Sequence, residues 1–107
     1  MHLSKRLLTI AAMVTEGNRL ADVGTDHGFV PIYLLQQNRI PGAIAMDINE
    51  GPLMRANTHI KEAGLEDKII TRLSDGLDQL EPGEADTILI AGMGGPLLID
   101  ILKRGNK

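Results

Sequence analysis

The sequence predicts an α/β domain, with a parallel sheet of strand order 3-2-1-4, flanking helices, and an end before any fifth strand. Three observations carry that expectation. Four short apolar runs alternate with helical patterns, prolines stand where three of those patterns open, and glycine- or carboxylate-bearing segments follow the runs. Parallel sheets place their ligand loops at those carboxyl ends. The 107 residues are enough for one domain, and they contain no internal repeat, low-complexity tract or linker.

A first helix beginning near Ser4 sets Leu7, Leu8, Ala11 and Ala12 on one side and closes around Gly17. Arg19–Val23 is the first strand, and Pro31 opens the helix behind it. Ala43–Met46 is the second strand. Pro52 then opens a helix with Leu53, Ala56, Ile60 and Ala63 on one face, stopped by Gly64 as a left-handed cap. Ile69–Leu73 is a more mixed run, which suits a strand nearer the sheet edge. Asp75–Ala85 contains Gly76, Pro82 and Gly83 and reads as a short helical turn and loop. Thr87–Ala91 is the fourth strand. Pro96 opens a last helix with Leu97, Leu98, Ile101 and Leu102 on one face, ending at Gly105. In this order the fourth strand is apolar and lacks a neighbour on one side. We therefore expect a chain cut short, and a homodimer made by edge-to-edge pairing of Thr87–Ala91.

Composition removes several function classes. Hydrophobic residues make up 43%, and a mean hydropathy of −0.01 fits a globular core. Eleven Lys and Arg against fourteen Asp and Glu give −3, so bulk positive charge cannot be the grip on a nucleic acid. The absence of cysteine excludes disulfides, thiolate metal sites and a catalytic thiol. No apolar run approaches the roughly 18–20 residues of a membrane span, and the amino terminus is a poor signal peptide, so a cytoplasmic location is expected. His2, His27 and His59 show no metal-ligand spacing, and no metal is expected.

Chemistry concentrates after the strands. In Asp22-Val-Gly-Thr-Asp-His-Gly28, the glycines allow a tight turn and close approach to a ligand, while Asp22 and Asp26 supply negative charge. Asp26 and Phe29 stand where a dinucleotide fingerprint wants glycine, and the Gly-Lys-Ser/Thr ending of a phosphate loop is missing. Carboxylates here suit a ligand carrying an ammonium group; an ordinary strand-to-helix turn is the plain alternative. Asp47, 25 residues beyond Asp22, is placed to accept hydrogen bonds from a ribose diol. Asn49 reads better as a helix cap than as a ligand contact. Asp75 could accept from an adenine amino group beside Gly76, or be a solvated Asp-Gly turn. Ala91-Gly-Met-Gly-Gly95 implies close backbone packing or a ligand resting on the chain, with Met93 open to a plain core role. His27 either orients the first loop or reaches a substrate. Phe29 either stacks on a base or packs in the core, and His59 is expected mid-helix and exposed.

Taken together, Leu20–Gly28, Ala45–Asn49 with Gly51-Pro52-Leu53, Arg72–Leu77 and Ala91–Gly95 resemble the bacterial tRNA adenine-22 N1-methyltransferase family (TrmK type) over nearly the whole chain. The resemblance implies a Rossmann-like class I methyltransferase fold with S-adenosyl-L-methionine as cofactor and tRNA as partner. Residues 1–107 would be a partial cofactor-binding domain, without the carboxyl-terminal helical tRNA-binding domain. It implies that Asp22, Gly24, Thr25, Asp26, His27 and Gly28 surround the methionine end of the cofactor. Asp47 and Ile48 would hold its ribose, and Ser74, Asp75, Gly76 and Leu77 its adenine. Ala91 and Gly92 would close the pocket, with Met93, Gly94, Gly95, His27 and Phe29 towards the target base. Asp26 is the expected catalytic residue, stabilising positive charge on the methylated ring. A methyltransferase for a small molecule or protein, and a non-catalytic association module retaining the fold, are the alternatives. The first reading requires the carboxylates of Asp22, Asp47 and Asp75 to converge on one nucleoside-sized hollow.

Overall fold

The computed structural model describes residues 4–25, 27–91 and 97–101. Ser4 opens the fold by accepting the Leu7 N–H on its hydroxyl at 3.2 Å, capping α1 (Lys5–Ala12). The buried face of this helix and its exit is Ile10, Ala11 and Val14, with Leu7 packed beside it. Leu8 and Ala12 are exposed instead of facing inward as expected. The i, i+3, i+4, i+7 spacing from Leu7 selects the true face.

Behind α1 come β1 (Leu20–Val23), α2 (Phe29–Gln36), β2 (Ala43–Asp47), α3 (Glu50–Glu62), β3 (Ile69–Leu73) and β4 (Thr87–Ala91). β1 pairs in parallel with both β2 and β4, and β2 with β3, giving the expected order 3-2-1-4 with β3 at an edge. Both helix-opening prolines sit at the third residue of their helices, so α2 and α3 begin two positions earlier than expected. All N–H groups of a first turn lack intrahelical acceptors, so proline is tolerated there as well as at the first position.

The expectation of a helix after Pro96 is overturned. Leu97–Ile101 forms a fifth strand, β5, antiparallel to β4 with Ala91 opposite Leu97 and Thr87 opposite Ile101. A five-residue run of Leu-Leu-Ile-Asp-Ile does not distinguish strand from helix by periodicity, and the open edge of β4 supplied unpaired N–H and C=O groups to satisfy. The sheet therefore does not stop before a fifth strand. β4 is hydrogen-bonded on both sides, which removes the exposed edge on which the expected homodimer rested.

Alternation along the strands builds two cores. Leu20, Ala43, Ala45, Ile69 and Leu89 pack with the three helices on one face. Ala21, Val23, Ile44, Met46 and Ile88 pack on the other against Leu80 and Ala85 of the loop before β4. Burial of β1 and β2 on both faces explains their largely apolar character, with Asp22 and Asp47 the exceptions, and makes their carboxyl ends a firm base for a site.

Candidate functional site

The site begins where β1 stops. Gly24 turns the chain with φ +76°, a conformation costly for other residues, and the N–H groups of Gly24 and Thr25 both donate to the Met46 carbonyl at 2.8 and 2.9 Å. The tip of β1 is thereby tied to β2. One residue past Met46, the Asp47 carbonyl accepts the Ser74 N–H at 2.9 Å, tying β2 to the tip of β3. Three strand ends are held in one row.

Asp22 shares the helix-side face of β1 with Leu20 and is 3% exposed. Its carboxylate accepts the Thr25 hydroxyl at 2.8 Å. Burial pushes its pKa up to about 7; the Thr25 hydrogen bond opposes the rise and the nearby Asp47 charge adds to it. Among the described residues the Thr25 hydroxyl is the side-chain donor to this buried acid, which favours a cationic ligand group beside it. Asp47 is also buried, and its Oδ1 accepts the Asn49 N–H at 3.0 Å. Among the described residues Oδ2 has no protein donor, which leaves one carboxylate oxygen for a ligand. Asn49 occupies the cap position of α3, but its side chain makes no capping bond.

The third tip is organised by Ser74, whose hydroxyl donates to the Gly76 carbonyl at 2.8 Å and accepts the Gln79 N–H at 3.2 Å. Arg72 braces the same loop from behind. Its guanidinium donates to both Glu84 oxygens at 2.7 and 2.9 Å and to the Gln79 carbonyl at 2.9 Å. The Arg72 hydrogen bonds hold the Glu84 carboxyl down to about 2, helped by the Glu81 N–H.

Asp22, Asp47 and Asp75 line a single cavity of about 570 Å³. Gly24, Thr25, His27, Phe29, Ile48, Ser74 and Gly76 line it too, so most of the expected site residues are brought together. Gly28 is not among them: it has φ +74°, and an added Cβ would lie 3.2 Å from the Ala56 Cβ, so its role is close contact with α3. Leu77 packs against the core on the opposite sheet face. Ala91 ends β4, while Asp26 and Gly92, Met93, Gly94 and Gly95 lie outside the described residues.

Sequence reasoning missed other walls. Leu7 and Ile10 of α1, Leu89 of β4, and Pro52 and Arg55 of α3 also line the cavity. Leu7 and Leu89 had been read only as parts of a helix face and a strand, and nothing local marks which apolar positions border a hollow. Phe29 is half-buried at the cavity, not a core side chain. His59 is also half-buried, with Nδ1 2.8 Å from the His27 carbonyl, unlike the exposed position expected of it. Among the described residues no group of three His, Cys, Asp or Glu side chains could hold a metal.

The volume falls in the ordinary range for small-ligand sites, roughly 300–1,000 Å³. A buried acid at one end and carboxylates from two further strand tips fit a nucleoside bearing a cationic group. A family model described as a methyltransferase domain matches residues 3–107. The chain belongs to that family. It is 43% identical over 105 residues to the tRNA (adenine(22)-N(1))-methyltransferase of Bacillus subtilis, covering 98% of this chain and 44% of that protein. A Streptococcus pneumoniae protein solved with S-adenosyl-L-methionine superposes with TM-score 0.82 at 41% identity, over 86% of this chain and 44% of the other. Mycoplasma capricolum TrmK, solved with S-adenosyl-homocysteine, gives TM-score 0.74 at 29% identity, over 84% of this chain and 52% of the other. The methyltransferase domain described here thus spans about half the length of its relatives or less. Its four parallel strands and flanking helices are the Rossmann-like core of a class I methyltransferase fold.

Proposed function

We propose that this chain is the S-adenosyl-L-methionine-binding domain of a tRNA methyltransferase that acts on N1 of an adenine, with position 22 the favoured target. The observation that carries the proposal is the meeting of Asp22, Asp47 and Asp75, from three strand tips, in one cavity. The matched relatives, one a tRNA adenine-22 enzyme and two solved with the cofactor or its product, support it.

In this reading Asp22 ionises to pair with the cofactor's ammonium group, and Asp47 accepts from the ribose diol. Asp75 and Gly76 border the adenine. When bound, S-adenosyl-L-methionine supplies an electrophilic methyl group. Adenine N1 is a neutral lone pair at pH 7, so the protein needs no general base; it must hold N1 in line and stabilise the cationic ring that results. Asp26 is assigned that electrostatic role. The base must also be turned out of its stack to reach the cavity. With a net charge of −3, this domain would leave the tRNA phosphates to the helical domain implied by the resemblance. Activity on tRNA implies a cytoplasmic location; among the described residues no helix is long and apolar enough to cross a membrane.

Replacing the matching segment of the Bacillus subtilis enzyme with this chain tests the proposal in cells lacking that enzyme. The expected result is 1-methyladenosine at tRNA position 22, absent when the chimera carries Asp47→Ala. A stable, cofactor-binding chimera that leaves position 22 unmodified contradicts the tRNA assignment.

A further inference from the structure

The chain has one Phe, one Tyr and no Trp. Simple packing would bury that Phe in a core built otherwise from Leu, Ile, Val, Ala and Met. Phe29 instead lines the cavity, half-buried, and it belongs to a cluster of three rings drawn from three segments. His27, in the loop after β1, stacks on it with centroids 4.9 Å apart and planes within 11°. His59 from α3 lies 5.2 Å from Phe29 and 5.6 Å from His27.

His59 also has a directional bond. Its Nδ1 is 2.8 Å from the His27 carbonyl, and a carbonyl only accepts, so Nδ1 carries the proton. One turn earlier on α3, Ala56 fits against Gly28, where an added Cβ would sit only 3.2 Å from the Ala56 Cβ. The α3 helix is therefore seated against residues 27 and 28, and His59 joins the ring cluster while bracing the backbone that carries His27.

We infer that His27 and Phe29 form a stacking platform for the substrate's adenine ring, and that His59, packed against both rings, is a positioning residue that sets the tilt of His27. The inference rests on the methyltransferase reading and deepens it by naming how the target base is held. A base extruded from its helix loses stacking, and a flat aromatic surface restores it without reading sequence. The Phe29 face offers a further advantage. Transfer to N1 leaves the ring positively charged, and a cation is attracted to an aromatic face, so the platform favours the product-like ring over the neutral base.

The test uses the full chain saturated with S-adenosyl-homocysteine, so that the adenine subsite of the cofactor is filled. Adenosine 5′-monophosphate is titrated in while the ring-proton NMR signals of His27, Phe29 and His59 are followed. Saturable upfield shifts at His27 and Phe29 are expected, with cytidine 5′-monophosphate binding more weakly. His59→Ala is expected to weaken adenosine 5′-monophosphate binding about tenfold, the scale of one stacking contact, while S-adenosyl-homocysteine affinity stays within about twofold. His59→Asn, which keeps a donor near the Nδ1 position, should recover part of that loss. Unshifted ring signals in the saturated chain overturn the platform. Wild-type nucleotide affinity in a folded His59→Ala variant overturns the positioning role. If S-adenosyl-homocysteine does not bind, the methyltransferase reading fails separately, and the same shifts in the free chain decide the platform by the same criteria.

Discussion

Asp22 and Glu84 are both carboxylates within this fold, yet their surroundings push them in opposite directions. Asp22, inside the cavity, has one hydroxyl donor and a neighbouring acid, and burial raises its pKa to about 7. Glu84, at the outer side of the β3–β4 loop, is gripped by Arg72 through two hydrogen bonds and held down to about 2. The first carboxylate weakens the folded state when it ionises; the second strengthens it. A group with every partner supplied by the protein is structural, whereas a buried acid short of positive charge is set up for a ligand to supply it.

The largest effect that tests this contrast comes from Asp22→Asn. Because the folded-state pKa of Asp22 lies above its ordinary 3.8, its stability contribution is intact below about pH 4 and is lost as pH rises through about 7. Asn removes the ionisation while retaining an acceptor for Thr25. Urea unfolding at pH 8 should show the variant more stable than the parent by up to about 4 kcal/mol, the upper bound set by the pKa shift, with the gap closing near pH 4. A variant equally or less stable at pH 8 breaks the comparison at its buried end.

Glu84→Gln should give the smaller and opposite result. With its folded pKa lowered, Glu84 contributes stability above about pH 4.5, and that contribution is lost as pH falls through about 2. Both side chains of the pair are about a quarter exposed, at 25% and 28%, so solvent screening limits the loss to roughly 0.5–1 kcal/mol at pH 7. Amide exchange in residues 75–84 should quicken in the variant, since Arg72 also braces the Gln79 carbonyl. Unchanged exchange there would show that the loop holds without its ion pair.

The same contrast explains what was legible in the sequence. Strands β1, β2 and β4 declared themselves because burial on both faces requires nearly continuous apolar runs, β3 showed its edge position by a mixed one, and the carboxyl ends of β1, β2 and β3 flagged Asp22, Asp47 and Asp75. β5 was read as a helix because its identity depends on the edge of β4, a partner that no local pattern names. His59 reads from the sequence as exposed because a single histidine mid-helix carries no periodic signal. Its contact with His27 exists only once Ala56 meets Gly28. The Arg72–Glu84 pair was equally silent, since twelve residues separate two ordinary surface charges. What sequence disclosed lay in local side-chain pattern; what it concealed depended on the seating of one element against another.

Calorimetric titration of the chain with S-adenosyl-L-methionine, repeated near pH 7 in buffers of different ionisation enthalpy, tests the central claim most directly. Convergence of the three carboxylates predicts one saturable site, with proton release as Asp22 ionises against the incoming cation. Asp47→Ala should weaken binding tenfold to a hundredfold, on the scale of about 1.5–3 kcal/mol for a hydrogen bond to a charged group. A folded chain that gives no binding heat, or an Asp47→Ala variant that binds as tightly as the parent, would contradict it.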